Sequence, residues 1–154
     1  MAPSLRDEIK QQKPFASLEQ EAFLSIERTA AVLSHAFADT LKPHDITPTQ
    51  YNVLRILRGA GRTGLCRNEI RDRLVAQVPD VTRLLDRMED AGWIERERDT
   101  ADRRLVSTRI TPRGLALLRS LDGAVARHEK RLGHLTRAQL KSLIELLALA
   151  RDGA

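Results

Sequence analysis

The chain has 154 residues, with 26 basic and 21 acidic side chains and a formal net charge of +5. That length suits one domain with an appended element, and no apolar run approaches the roughly 20 residues of a membrane-spanning helix. A single cysteine, Cys66, excludes an internal disulfide and cysteine-clustered zinc or iron–sulfur sites, and the polar start of the chain sets the expectation of a cytoplasmic protein without a leader.

In chain order, residues 1–16 are polar and expected to be poorly ordered. Ser17-Leu18-Glu19-Gln20 has the form of a capping box, in which the Ser hydroxyl and the Gln side chain each satisfy an orphan backbone N–H. Apolar residues then recur at Ala22, Ile26, Ala30, Leu33, Phe37 and Leu41, a helical stripe that Pro43 closes. Thr47-Pro48-Thr49-Gln50 is a second start, with proline at the first helical position, where its missing N–H costs nothing. Tyr51, Leu54, Ile56 and Leu57 continue this helix, and Gly59, Gly61 and Gly64 stop it. A third, short helix is predicted from about Arg67 to Leu74. A fourth starts near Gln77–Pro79 and ends at Gly92, a residue suited to a left-handed helix end.

The period then changes from helical to alternating. Trp93 to Arg98 and Leu105 to Ile110 read as the two strands of a β-hairpin, joined by a polar loop over residues 99–104. Thr111-Pro112 opens a fifth helix that runs toward Leu132. Thr136-Arg137-Ala138-Gln139 caps a last helix, whose Leu143, Ile144, Leu146, Leu147 and Leu149 leave few polar faces. A chain this short offers little to cover such a helix, so a second copy is the simplest partner.

Short helices followed by a hairpin are the parts of a winged helix-turn-helix. In the fourth helix Val81, Leu84, Leu85 and Met88 fall at i, i+3, i+4 and i+7 and form the inner row. Asp80, Thr82, Arg83, Asp86 and Arg87 occupy the other side, as a recognition helix in the major groove requires. Arg103 and Arg104 stand at the hairpin tip, where guanidinium groups suit a narrow minor groove. Residues 62–113 hold 12 arginines, no lysine and 10 acids, so the net charge there is only +2. The signal is therefore where the arginines sit, not bulk charge. Asp99 and Asp102 are placed to brace the wing arginines, while Glu95, Arg96, Glu97 and Arg98 read as a solvated face. The low aromatic content, 3%, argues against base-stacking modules for single strands.

The stretch from Val81 to Arg96, followed by Asp102-Arg103-Arg104 and Ile110-Thr111-Pro112-Arg113-Gly114, resembles the MarR family of bacterial transcriptional regulators. The helix ending in acidic-x-Gly, the wing Asp-x-Arg and the Thr-x-x-Gly at the next helix carry the resemblance, over about residues 47–114. It implies a mainly α fold with a small β-hairpin wing. A winged helix-turn-helix lobe over 47–111 would be flanked by dimerisation helices over 17–42 and 112–151. It also implies a homodimeric repressor of double-stranded DNA with a pseudo-palindromic operator, relieved by a small ligand or an oxidant. By that match Asp80, Thr82, Arg83 and Arg87 face the major groove, Arg104 reaches the minor groove, Asp102 braces the wing and Arg103 lies nearby. The residues that would bind an effector vary across the family and are left unassigned.

Other features point elsewhere. Gly59-Ala60-Gly61-Arg62-Thr63-Gly64 matches G-x-G-x-x-G, but a dinucleotide site needs a preceding strand and a βαβ unit, and Thr47–Gln50 starts a helix. Cys66, at the start of the third helix beside Arg62 and Arg67, is a candidate redox thiolate, weighed against a small half-buried structural residue. His35, His44, His128 and His134 read as surface or interface residues, and no metal or cofactor is expected. A protein-interaction module of the same fold is the competing functional class. It would leave the wing arginines without a task.

Overall fold

The structure, a computed structural model, describes residues 2–102 and 104–154; Arg103 lies outside the described residues. Among the described residues, seven α-helices and one antiparallel hairpin follow in the order α1 (Leu5–Glu8), α2 (Leu18–Leu41), α3 (Pro48–Ala60), α4 (Arg67–Arg73), α5 (Val81–Asp90), β1 (Ile94–Arg98), β2 (Val106–Ile110), α6 (Pro112–Glu129) and α7 (Arg137–Asp152). Short 3-10 turns extend the ends of α2, α3 and α6.

The helix starts follow from their caps. Thr47 accepts the Gln50 N–H at 3.2 Å while the Gln50 side chain accepts the Thr47 N–H at 3.0 Å, closing the predicted box. Thr136 and Gln139 do the same for α7. At α2 the reciprocal half shifts by one residue. Ser17 caps Gln20 N–H at 3.1 Å, but the Gln20 side chain takes the Ala16 N–H at 2.7 Å. Ahead of it, the segment expected to be poorly ordered holds the single helical turn α1, whose Glu8 meets Arg28 of α2 at 3.5 Å.

The G-x-G-x-x-G stretch is a helix end. Gly59 still belongs to α3, and Gly61 and Gly64 take left-handed backbone with φ of +67°. Chain reversal there brings Leu65 antiparallel to Thr108, with N–H···O bonds of 2.9 and 2.8 Å in the two directions. A Cβ on Gly64 would stand 2.5 Å from both Ser107 Oγ and the Thr108 carbonyl, so this close approach needs glycine. The only described sheet is two-stranded, so the glycines have no βαβ context.

The core gathers beneath α5. Val53, Leu54 and Leu57 of α3, Ile70 of α4, Leu85 and Met88 of α5, Ile94 of β1, and Leu118 and Leu121 of α6 are all essentially inaccessible. Leu41, the one buried residue of α2, joins the same cluster. No residue of α7 is buried, and Phe23, Ile144, Leu146 and Leu149 remain more than 60% exposed.

Candidate nucleic-acid interface

Helix α5 owes its orientation to its two rows. Val81, Leu85 and Met88 are buried and Leu84 half-buried, so the inner row is fixed by packing. Thr82, Arg83, Asp86 and Arg87 are therefore held outward on the opposite side. The helix starts at Val81, later than the sequence suggests, because Asp80 is its N-cap. The Asp80 carboxylate accepts the Arg83 N–H at 2.9 Å. A residue read as groove-facing thus has a capping task as well. Gly92 follows the helix with φ of +79°, the left-handed turn expected of it.

Two contacts escaped the sequence reading. Thr82 Oγ1 accepts a hydrogen bond from Arg67 Nη1 at 3.0 Å, tying the front of α5 to the first residue of α4. Arg96 of β1 is no solvated-face residue. Its guanidinium donates to Asp86 at 2.6 Å and Glu89 at 2.9 Å, and its backbone N–H donates to Glu89 at 3.0 Å. The Arg96 side chain is only 22% exposed, and this clamp joins α5 to the hairpin. The hydrogen bond from Arg96 holds the Glu89 carboxyl below its ordinary value, and the same bond raises Arg96. Strand alternation carries the missed signal, since Ile94 and Arg96 share the inward face. The Arg67–Thr82 pair spans 15 positions between two helices and leaves no local pattern.

In the wing, β1 and β2 pair from Ile94 with Ile110 out to Arg98 with Val106. Asp99 accepts the Ala101 N–H at 2.7 Å and Asp102 accepts the Arg104 N–H at 3.0 Å. Both carboxylates thus meet main-chain N–H groups of the tip, and for Arg104 the contact is through its backbone N–H. Arg104 is exposed beside them, while the expectation for Arg103 falls outside the described residues. Among the described residues, Arg67, Arg83, Arg87 and Arg104 form no ion pair with a carboxylate. Cys66 is the N-cap of α4 and half-buried, and Glu69 accepts its backbone N–H at 2.8 Å. That hydrogen bond is the main cause of a lowered Glu69 carboxyl.

The histidines divide. His35 meets Asp39 one turn on at 3.5 Å. His134 Nδ1 lies 2.9 Å from the Arg131 carbonyl. His128 is half-buried against Phe37, with ring centroids 4.9 Å apart. Among the described residues no group of three His, Cys, Asp or Glu could hold a metal ion, and no helix is long and apolar enough to cross a membrane.

A helix with an outward polar row, carried on two packed helices and followed by an arginine-tipped hairpin, defines a winged helix-turn-helix DNA-binding lobe. The MarR family profile matches residues 46–106. The chain is 30% identical over 136 residues to the HTH-type transcriptional regulator TtmR of Methylorubrum extorquens, covering 88% of this chain and 68% of that protein. Its fold is similar to a MarR transcription factor from Planctomyces limnophilus, with TM-score 0.68 and 38% identity over 88% of this chain and 99% of the other. It is also similar to the transcriptional repressor CouR bound to a 23-mer DNA duplex, with TM-score 0.78 and 27% identity over 92% and 99% of the two chains. The chain belongs to the MarR family of DNA-binding transcriptional regulators.

Proposed function

We propose that the chain acts as a homodimeric repressor that binds a pseudo-palindromic operator, working in the cytoplasm as a regulator and not as an enzyme. Two copies of α5 enter successive major grooves about one helical turn, roughly 34 Å, apart. Arg83 and Arg87 meet base edges or phosphates there, and each wing carries Arg104, with Arg103 beside it, into the flanking minor groove. The carrying observation is the outward row Thr82, Arg83, Asp86 and Arg87, set beside an exposed Arg104 on a braced wing. The exposed apolar faces of α2 and α7 are what the second subunit covers.

A small ligand relieves binding by acting between the helical frame and the DNA lobe. A groove of about 330 Å³ lies there, lined by Leu33 and Phe37 of α2, Tyr51 and Arg55 of α3, and His128 of α6. Phe37 and Tyr51 pack edge to face at 5.4 Å, and the buried His128 Nδ1 has no partner among the described residues. Aromatic walls, a spare ring nitrogen and an exposed guanidinium suit an aromatic acid. A ligand there biases a population of lobe spacings.

Fluorescence anisotropy against DNA flanking the coding region, titrated with salt, tests the reading. Tight, sequence-dependent binding that weakens with salt, and that Arg83→Ala with Arg104→Ala abolishes, supports it. Binding that both substitutions leave unchanged refutes the assignment of these arginines, and no DNA binding even at low salt favours the protein-interaction module. Addition of benzoate as a probe then asks whether the groove couples to DNA affinity. Cys66 belongs to an oxidant-relief variant of this reading, which fails if Cys66→Ser leaves peroxide sensitivity unchanged.

A further inference from the structure

A crevice of about 350 Å³ separates the α4–α5 pair from the wing, and Arg67, Asn68, Thr82, Arg96 and Arg104 line it. Its position carries a geometric consequence. If α5 lies in a major groove and the wing in the neighbouring minor groove, the phosphate strand dividing the two grooves must pass between them. We infer that this crevice cradles one phosphodiester of that strand, with Arg67 as the contacting cation and Thr82 as the residue that positions it. The inference rests on the groove assignment proposed above and extends it to a residue on α4.

The side chains sort themselves by availability. Arg96 is a poor phosphate ligand, because Asp86 and Glu89 already neutralise its charge, meeting Nη2 at 2.6 and 2.9 Å. Arg67 spends one donor on Thr82 Oγ1 at 3.0 Å and has no carboxylate partner among the described residues. A guanidinium carries five N–H donors, so enough remain for a bidentate grip on phosphate oxygens. Arg104 faces it across the crevice with no carboxylate partner among the described residues. Thr82 therefore acts through Arg67: its oxygen fixes a long, flexible side chain before DNA arrives and reduces the ordering cost of the contact.

The test uses the full chain and two 30-base-pair duplexes, one from the flanking DNA and one scrambled, with affinities measured across salt concentrations. Arg67→Gln weakens binding to both duplexes alike, by roughly tenfold per contact at 0.1 M salt, and makes the log–log salt slope shallower by about one per engaged Arg67. Thr82→Val gives a smaller loss of the same uniform kind, and combining it with Arg67→Gln adds nothing further. Unchanged affinity and slope for a folded Arg67→Gln overturns the inference. So does a loss confined to the flanking duplex, which marks a base contact, and so does full additivity of the two substitutions. Arg83→Ala is the control. If it too leaves both duplexes bound as before, the groove assignment has failed and not only the cradle.

Discussion

The DNA-binding lobe and the helical frame differ in where their apolar residues go. From Ile46 to Ile94 the inward side chains close on one another, and Leu54, Leu57, Ile70 and Met88 lose all contact with water. In α2 one residue is buried and in α7 none, although both helices are rich in leucine and α2 also carries two phenylalanines. The lobe is complete within one chain. The frame leaves apolar faces open to water within one chain, and these are the faces that the proposed second copy covers. The closed core and the open apolar faces are therefore built from different residues, and substitutions should distinguish them.

The largest expected effect breaks the frame. Ile144→Glu together with Leu149→Glu yields a monomer in sedimentation, and operator affinity falls by about a hundredfold or more, because the second lobe no longer binds intramolecularly. The lobe itself remains folded. Met88→Ala does the reverse. It opens a cavity in the closed core and costs about 2–5 kcal/mol in urea unfolding, whereas Leu146→Ala in a monomeric background costs well under about 1 kcal/mol. An equal loss at both sites would dissolve the contrast between lobe and frame.

Smaller effects sharpen it within the lobe. Arg96→Gln releases Asp86 and Glu89 and costs about 1 kcal/mol after screening of these partly exposed groups, with a larger loss in DNA binding as two carboxylates are freed toward phosphate. The same clamp gives a pH dependence. The Glu89 carboxyl is depressed in the folded chain, so its contribution is present above the unfolded value of about 4.3 and is lost as pH falls through the folded value. Urea melts between pH 7 and 3 should show this acid loss, and Arg96→Gln should flatten it. The smallest effect contrasts two caps. Thr47→Ala removes one half of a reciprocal box in the lobe, and Ser17→Ala a single bond in the frame, for about 1 and about 0.5 kcal/mol respectively in thermal melts.

Most of the fold was legible because its signals are local. The Thr47 and Thr136 boxes, the inner row Val81, Leu85 and Met88, and the left-handed Gly92 each occupy a few adjacent positions. What stayed hidden joins distant segments. Leu65 pairs with Thr108 as one residue, too short to leave an alternating pattern. Arg67 reaches Thr82 between helices whose register only the packed core sets. Arg96 was readable in principle, since alternation from Ile94 points it inward, but its charge suggested solvent. At Asp80 the observed cap and the expected groove-facing role draw on one carboxylate, and residue type alone does not divide the two.

Helix α6 begins hard against the wing. Thr111 Oγ1 donates to the Gly92 carbonyl at 2.6 Å, its N–H donates to the Trp93 carbonyl at 3.0 Å, and a Cβ on Gly114 would collide with that same Trp93 oxygen. At its far end the same helix presents His128 to the aromatic groove. Its 18 residues make a rod about 27 Å long. Welded at one end and bordering the proposed ligand groove at the other, it has the form of a lever arm. A tilt of a few degrees at the groove becomes a displacement of the arginine-bearing tip by an ångström or more, enough to put a hydrogen bond out of reach.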